Sequence, residues 1–464
     1  MSWEAVEGSF RDPSGFVYTR DGTLYRQVNT GFRGAFEGFL ASGLYDELAR
    51  DRLLVPHEQV GLEHSATAEA YAVLRPERLA FISYPYEWSF GQLQDAAALT
   101  LQIQERALRK GFTLRDSSAY NVQFQGGRPV FIDTLSFEPY EEGKPWAAYK
   151  QFCEHFLLPL TLMSSTDIRC GTLLRSYVDG IPLDFGSRLL PRRSWASLSA
   201  VLHIHLHAWA QGRYAGAAVS SAAKGKSLSH QSLLTLIKNL GTAVQRLSWR
   251  PAGTEWADYT CDNNYSDVAT RSKRQMVVAH LTDSNARTVW DLGANTGEYS
   301  RAARETAAQV VAFDIDPAAV ERNYRRVRSE AETGILPLLL DLSNPSPGQG
   351  WAGRERLSLE DRGPADALLA LALIHHLAIG HNLPLDRIAD YLSRLGRLLI
   401  IEFVPKSDSQ VKRLMLSRPD IFPGYTKEGF EEAFKRHYDI QTINRVEDSE
   451  RWLYSMVSRH SARP

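Results

Sequence analysis

Asp291-Leu292-Gly293-Ala294-Asn295-Thr296-Gly297 is the segment of this 464-residue chain whose residue types and spacing most plainly could do chemistry. The acid ends the apolar run Thr288-Val289-Trp290, and two glycines follow it. Glycine lets the backbone turn sharply and lets a ligand approach closely. Glu298-Tyr299-Ser300-Arg301-Ala302-Ala303 then reads as a helix, so strand, turn and helix make a cradle for a nucleotide-type cofactor. Three later apolar runs also end in residues with chemistry of their own. Val310-Val311-Ala312-Phe313 ends in Asp314, a carboxylate able to accept hydrogen bonds from both hydroxyls of a ribose. The run 336–341 ends in Asp341, placed to meet an adenine amino group. The run 367–374 ends in His375-His376. Imidazole, with an ordinary pKa of about 6.5, can take a proton near neutral pH.

Two cofactors compete for such a cradle. An acid about 20 residues after a glycine turn also marks a nicotinamide dinucleotide site. That site needs a second glycine for close approach to the pyrophosphate, and Asn295 stands there instead. S-adenosylmethionine has no pyrophosphate. Asp291 sits where a carboxylate can hold its cationic amino acid end, directly or through water, and would repel a phosphate. The plain alternative is a glycine turn in an α/β domain that binds something else or nothing. Agreement among four strand ends weighs against it.

At these residues the chain resembles class I S-adenosylmethionine-dependent methyltransferases, from about residue 265 to the end. The resemblance implies an α/β, Rossmann-like doubly wound sheet and cofactor roles for Asp291, Gly293, Asn295, Gly297, Asp314 and Asp341. Asn295 departs from the glycine more common at its position. Helices ahead of the first strand often cover the cofactor in that family, which adds Tyr265. The activity implied is methyl transfer to an oxygen, nitrogen or carbon nucleophile of a small or carrier-bound metabolite. The reaction is an in-line displacement, so positioning supplies much of the rate. The family places residues facing the methyl group at the fourth strand, so His375 or His376 is the candidate base. Neighbours at a strand end point opposite ways, so one of the two is expected to pack. Glu402, ending Leu399-Ile400-Ile401, could orient a histidine, bind substrate or be a solvated strand end. The strings Leu371-Ala372-Leu373-Ile374-His375-His376-Leu377 and Glu402-Phe403-Val404-Pro405-Lys406 resemble a little-characterised bacterial group of methyltransferases, some of them nodulation proteins.

The elements holding these sites alternate strand and helix after residue 288, which predicts parallel strands with crossover helices. Residues 231–464 are therefore expected to form the methyltransferase domain, and the Gly-, Ala- and Ser-rich stretch 211–230 a linker. Residues 1–210 predict a separate α+β domain. Its expected elements are a hairpin turned at Asp21-Gly22, a helix over 36–50, strands at 71–74 and 79–82, a long helix over 90–110, and a hairpin turned at Gly126-Gly127. Arg115-Asp116 and Asn121 repeat the catalytic-loop spacing of protein kinases, and Asp133 follows a hairpin later. This half resembles the kinase-like fold. The resemblance implies ATP and magnesium at Asp116, Asn121 and Asp133. The chain departs from that pattern, because Asp12-Pro13-Ser14-Gly15 is poor in glycine and Arg26 is the nearest cation to the expected lysine. A degenerate domain for substrate capture or scaffolding, a bifunctional kinase–methyltransferase and an unrelated α+β domain all stay open.

Composition bounds the rest. A formal net charge of -1 supplies no global attraction for nucleic acid or anionic lipid. The acidic start Met1-Ser2-Trp3-Glu4 does not predict a secretory leader, and no apolar run is of membrane-spanning length. Cys153, Cys170 and Cys261 fit neither a disulfide framework nor a zinc site and suit a cytoplasmic protein. His203 and His207 share a helical face without metalloprotease spacing, so a surface or packing role is expected of them. Arg322, Arg325, Arg326 and Arg328 predict a solvated basic face.

Overall fold

The computed structural model describes residues 3–209, 229–251, 266–416 and 419–460. The chain divides into two compact units, residues 1–250 with 349–356, and residues 251–348 with 357–464.

In the first unit, β1 (Trp3–Ala5), β2 (Gly15–Arg20), β3 (Thr23–Asn29), β4 (His57–Val60) and β5 (Ala70–Pro76) form an antiparallel sheet in the order β1-β2-β3-β5-β4. The Asp21-Gly22 hairpin is present, with both residues at positive φ, 50° and 75°. The helix expected over 36–50 is two helices, Arg33–Ala41 and Leu44–Arg50, because Gly43 between them takes φ +70°. No strand forms at 79–82. Just beyond it, the Ser83 backbone is bonded at both N–H and C=O by the Gln123 side chain, at 2.9 Å each, rather than by a neighbouring strand. The long helix Phe90–Arg109 starts at a Ser89 cap, with Gln92 completing a capping box. Two small ladders follow, β6 (Phe112–Leu114) with β9 (Phe137–Pro139), and β7 (Val122–Gln125) with β8 (Arg128–Phe131). Gly126 and Gly127, both at positive φ, turn the second as the sequence predicts. The helix His230–Arg246 lies in this unit too, where Gln94 Nε2 donates to the carbonyls of Val244 and Leu247 at 2.8 Å each. Most of the expected linker 211–230 lies outside the described residues.

The second unit is built on seven strands: β10 (Thr288–Leu292), β11 (Gln309–Asp314), β12 (Ile335–Leu339), β13 (Ala365–Ala370), β14 (Gly396–Phe403), β15 (Tyr438–Arg445) and β16 (Trp452–Ser458). Their order is β12-β11-β10-β13-β14-β16-β15. The first five are parallel, and β16 runs antiparallel to both of its neighbours. The helices Glu298–Arg304, Pro317–Ser329 and Leu385–Leu395 alternate with the parallel strands. Parallel strands covered on both faces read as continuous apolar runs. Val289, Val310, Ala312, Ala367, Leu369, Leu398 and Ile400 accordingly share one buried cluster. This is the doubly wound, Rossmann-like α/β sheet that the alternation predicted. Chain order reverses between β10 and β13, and such a switch point opens a crevice at the carboxyl ends of the strands. The antiparallel pair β15–β16 was not foreseen.

Candidate cofactor site

β10 delivers Asp291 into that crevice. Its side chain is buried, and Oδ2 accepts a 2.6 Å hydrogen bond from Ser300 Oγ on the following helix. Burial pushes this carboxyl up to about 6; the neighbouring Asp314 adds to the rise, while Ser300 and Lys273 oppose it. The turn after Asp291 is tied to β11, because the N–H groups of Gly293 and Ala294 both donate to the Phe313 carbonyl, at 2.9 and 2.8 Å. Gly293 and Gly297 take φ +81° and +84°. A Cβ at Gly297 would lie 2.6 Å from the side-chain ends of Arg301 and Asn323, which would have to shift, so it is the positive φ that calls for glycine here. Asn295 also adopts positive φ, 49°, and its side-chain oxygen accepts from Thr296 N–H at 2.7 Å.

Asp314 ends β11 and is half-buried. Its two oxygens accept the N–H groups of Asn295, at 2.7 Å, and Asp316, at 2.8 Å. Burial pushes it up to about 6 despite those bonds. Ile315 beside it is 50% exposed, an apolar surface at the mouth of the crevice that sequence reasoning passed over. Asp341 lies just beyond β12, where one oxygen accepts both the N–H and the hydroxyl of Ser343. Tyr265 lies outside the described residues.

The histidine pair is not at a strand end. β13 stops at Ala370, Ala372 takes φ +51°, and residues 374–380 form a short helical turn. The strand stops early because Glu402 accepts the Ala372 N–H at 2.8 Å, drawing the backbone out of the ladder. His375 is fully buried with neither ring nitrogen partnered, while His376 is half-buried. The two rings lie 4.1 Å apart, tilted by 38°. Burial holds both imidazoles neutral, His375 well below its ordinary value and His376 down to about 4.

Glu402 is not a solvated strand end. It is fully buried and pairs with the buried Lys273 Nζ at 2.8 Å. Arg451 lies 3.9 Å from its other oxygen and bonds Asp408 at 2.7 Å. Lys273 also stands 4.7 Å above the Tyr299 ring, next to the glycine turn. Nothing local signals this network, since Lys273 and Glu402 are 129 residues apart.

In the first unit, Asp116, Asn121 and Asp133 do come together. Asp116 accepts from the Asn121 side chain and from Ser118 N–H, and burial, with the Asp133 charge, raises its pKa. Asp133, however, is ion-paired with Arg26 and accepts the Ser136 hydroxyl. Arg115 ties the Asp12-Pro13-Ser14 turn down through Asp12, at 2.6 Å, and Ser14, at 2.9 Å. Among the described residues no group of three His, Cys, Asp or Glu could hold a metal ion.

No family model matches the chain. Among solved structures, the N-methyltransferase NodS of Bradyrhizobium japonicum WM9 in complex with S-adenosyl-L-homocysteine aligns with a TM-score of 0.32 and 8% identity, over 44% of this chain and 96% of that one. The magnesium protoporphyrin IX methyltransferase ChlM of Synechocystis PCC 6803 with bound SAM aligns with a TM-score of 0.29 and 16% identity, over 44% and 93%. The nodulation protein NoeA of Rhizobium meliloti (strain 1021) is 37% identical over 456 residues, which is 97% of this chain and 95% of NoeA. With its doubly wound sheet and glycine turn the second unit has the class I methyltransferase fold, and the chain belongs to the family of the nodulation protein NoeA.

Proposed function

We propose that the second unit binds S-adenosylmethionine and passes its methyl group to an oxygen, nitrogen or carbon atom of a small or carrier-bound metabolite. The carrying observation is the pair of strand-end carboxylates, Asp291 and Asp314, both pushed up to about 6 by burial. Two such groups call for a ligand that is cationic at one end and rich in hydroxyl donors at the other. A dinucleotide pyrophosphate would add negative charge where it is already disfavoured. In this reading Asp291 holds the amino acid end, Asp314 the ribose hydroxyls and Asp341 the adenine amino group. Gly293 and Gly297 let the backbone close on the ligand, and Asn295 N–H keeps the Asp314 carboxylate aimed. Ile315 covers the adenine face.

Adenosylmethionine supplies a methyl group on a positively charged sulfur. The chain's part is positioning. His376, the accessible member of the pair, accepts the hydrogen bond or proton of the acceptor O–H or N–H, and the buried His375 supports it from beneath. A neutral imidazole suits this task, because a protonated one could not accept. Glu402 fixes the turn that carries both. The test is a metabolite extract incubated with deuteromethyl-labelled cofactor and read by mass spectrometry. Label entering one acceptor class, and lost in Asp314→Ala, supports the reading; label entering none sinks it.

For the first unit the Arg26–Asp133 ion pair favours a binding or scaffold role over phosphotransfer. It commits to a side chain the carboxylate that a magnesium ion would need.

A further inference from the structure

Ala372, in the turn that carries the histidine pair, has φ +51°, a conformation that a residue other than glycine adopts only at a cost. One carboxylate oxygen holds it there. Glu402 Oε2 accepts the Ala372 N–H and the Lys273 Nζ, at 2.8 Å each. A carboxylate gives the N–H a stronger bond than a neutral acceptor would, which offsets the unfavourable φ. Arg451 stands 3.9 Å from Glu402 Oε1 and is itself tied to Asp408. Lys273, Glu402 and Arg451 are all buried. A buried ion pair stabilises a fold no better than apolar side chains of the same volume, and often less well. Stability therefore does not account for the pair.

Its place in the fold does. Leu373, the residue after Ala372, lies against the cofactor turn, where a Cβ at Gly293 would sit 3.5 Å from Leu373 Cδ1. Lys273 Nζ stands 4.7 Å from the centre of the Tyr299 ring, on the helix that follows the same turn. The pair thus meets the cofactor cradle on one side and the backbone that carries the histidines on the other. We propose that Lys273 and Glu402 are positioning residues for methyl transfer, holding the strained Ala372 turn against the glycine turn so that His376 meets the acceptor where the displacement needs it. This rests on the methyltransferase reading and adds to it the requirement that the Ala372 N–H be held. Neither residue touches the acceptor; both act through the Ala372 backbone. The proton that an O–H or N–H acceptor gives up on gaining the methyl group goes to His376, and the electron pair of the broken carbon–sulfur bond stays on sulfur.

The test compares two double variants of the full chain for transfer of label from deuteromethyl adenosylmethionine into a metabolite extract, with cofactor affinity measured by calorimetry and stability by melting. Lys273→Met/Glu402→Met replaces the pair with apolar side chains of similar volume and leaves the Ala372 N–H without its acceptor. It should bind adenosylmethionine and melt much as the wild type does, yet transfer label about a hundredfold more slowly. Lys273→Met/Glu402→Gln removes the same charges but returns an amide oxygen to the Ala372 N–H, and should rescue most of that rate. Ala372→Val reaches the turn with the pair intact. A β-branched side chain is poorly tolerated at positive φ, so this variant should lose transfer as well, whether or not the first one folds. Transfer at the wild-type rate by Lys273→Met/Glu402→Met or by Ala372→Val overturns the positioning role and leaves the methyltransferase reading standing. So does an equal loss in the two double variants, since a purely structural pair would act that way. A wild type that binds no adenosylmethionine, or labels nothing, overturns both.

Discussion

Asp291→Asn should make the cofactor-free protein more stable while destroying its capacity to bind adenosylmethionine. Burial raises the Asp291 carboxyl from an ordinary 3.8 to about 6. A folded-state pKa raised in this way means that the folded chain holds its proton more tightly than the unfolded chain. The associated stability is present below pH 3.8 and is lost as pH rises through about 6. At neutral pH the buried charge therefore costs the folded state roughly 3 kcal/mol as an upper bound. Asparagine removes the charge and still accepts the 2.6 Å bond from Ser300 Oγ. Lys273 keeps its Glu402 partner. In a unit of this size the gain corresponds to a rise in Tm on the order of 5–10 °C. Calorimetric melts of the two proteins at pH 8 and pH 4 measure it: the gap should be open at pH 8 and nearly closed at pH 4. The upward shift that adenosylmethionine gives the wild type should vanish in the variant. An Asp291→Asn protein that melts below wild type at pH 8, or that keeps the cofactor shift, would refute the electrostatic reasoning.

Gly297→Ala should destabilise the second unit by about 1–2 kcal/mol, from its positive φ, read as a fall in Tm. Lys273→Met leaves Glu402 buried without its 2.8 Å partner and should cost about 3–5 kcal/mol. Lys273→Met/Glu402→Gln should recover part of that loss in denaturant melts. Once the acceptor is known, His376→Ala should lower kcat by about a hundredfold with the cofactor Kd unchanged, which steady-state kinetics and calorimetry check together. ATP with magnesium should leave the Tm of the full chain unmoved, because Arg26 already occupies Asp133; a clear upward shift would contradict the scaffold reading.

Much of this was legible where chemistry is local in sequence. The run from Asp291 to Gly297 is a strand, a turn and a helix start in consecutive residues, so types and spacing sufficed. The Asp21-Gly22 and Gly126-Gly127 hairpins were legible for the same reason. What escaped depended on partners far away. Glu402 was left between orienting a histidine, binding substrate and a solvated strand end, because Lys273 and Arg451, which close over it, are far away in sequence. The His375–His376 pair looked like alternating strand residues because the run 367–374 is apolar throughout. It is a bond from Glu402 to Ala372 N–H that ends β13 early, and the histidines sit on a helical turn as a result.

Isothermal titration of adenosylmethionine into the wild type and into Asp314→Ala tests the central claim most directly. The account predicts one site per chain in the wild type and loss of that binding in the variant, with no uptake of a nicotinamide dinucleotide by either. Absence of adenosylmethionine binding to the wild type, or equal affinity in the two proteins, would contradict it.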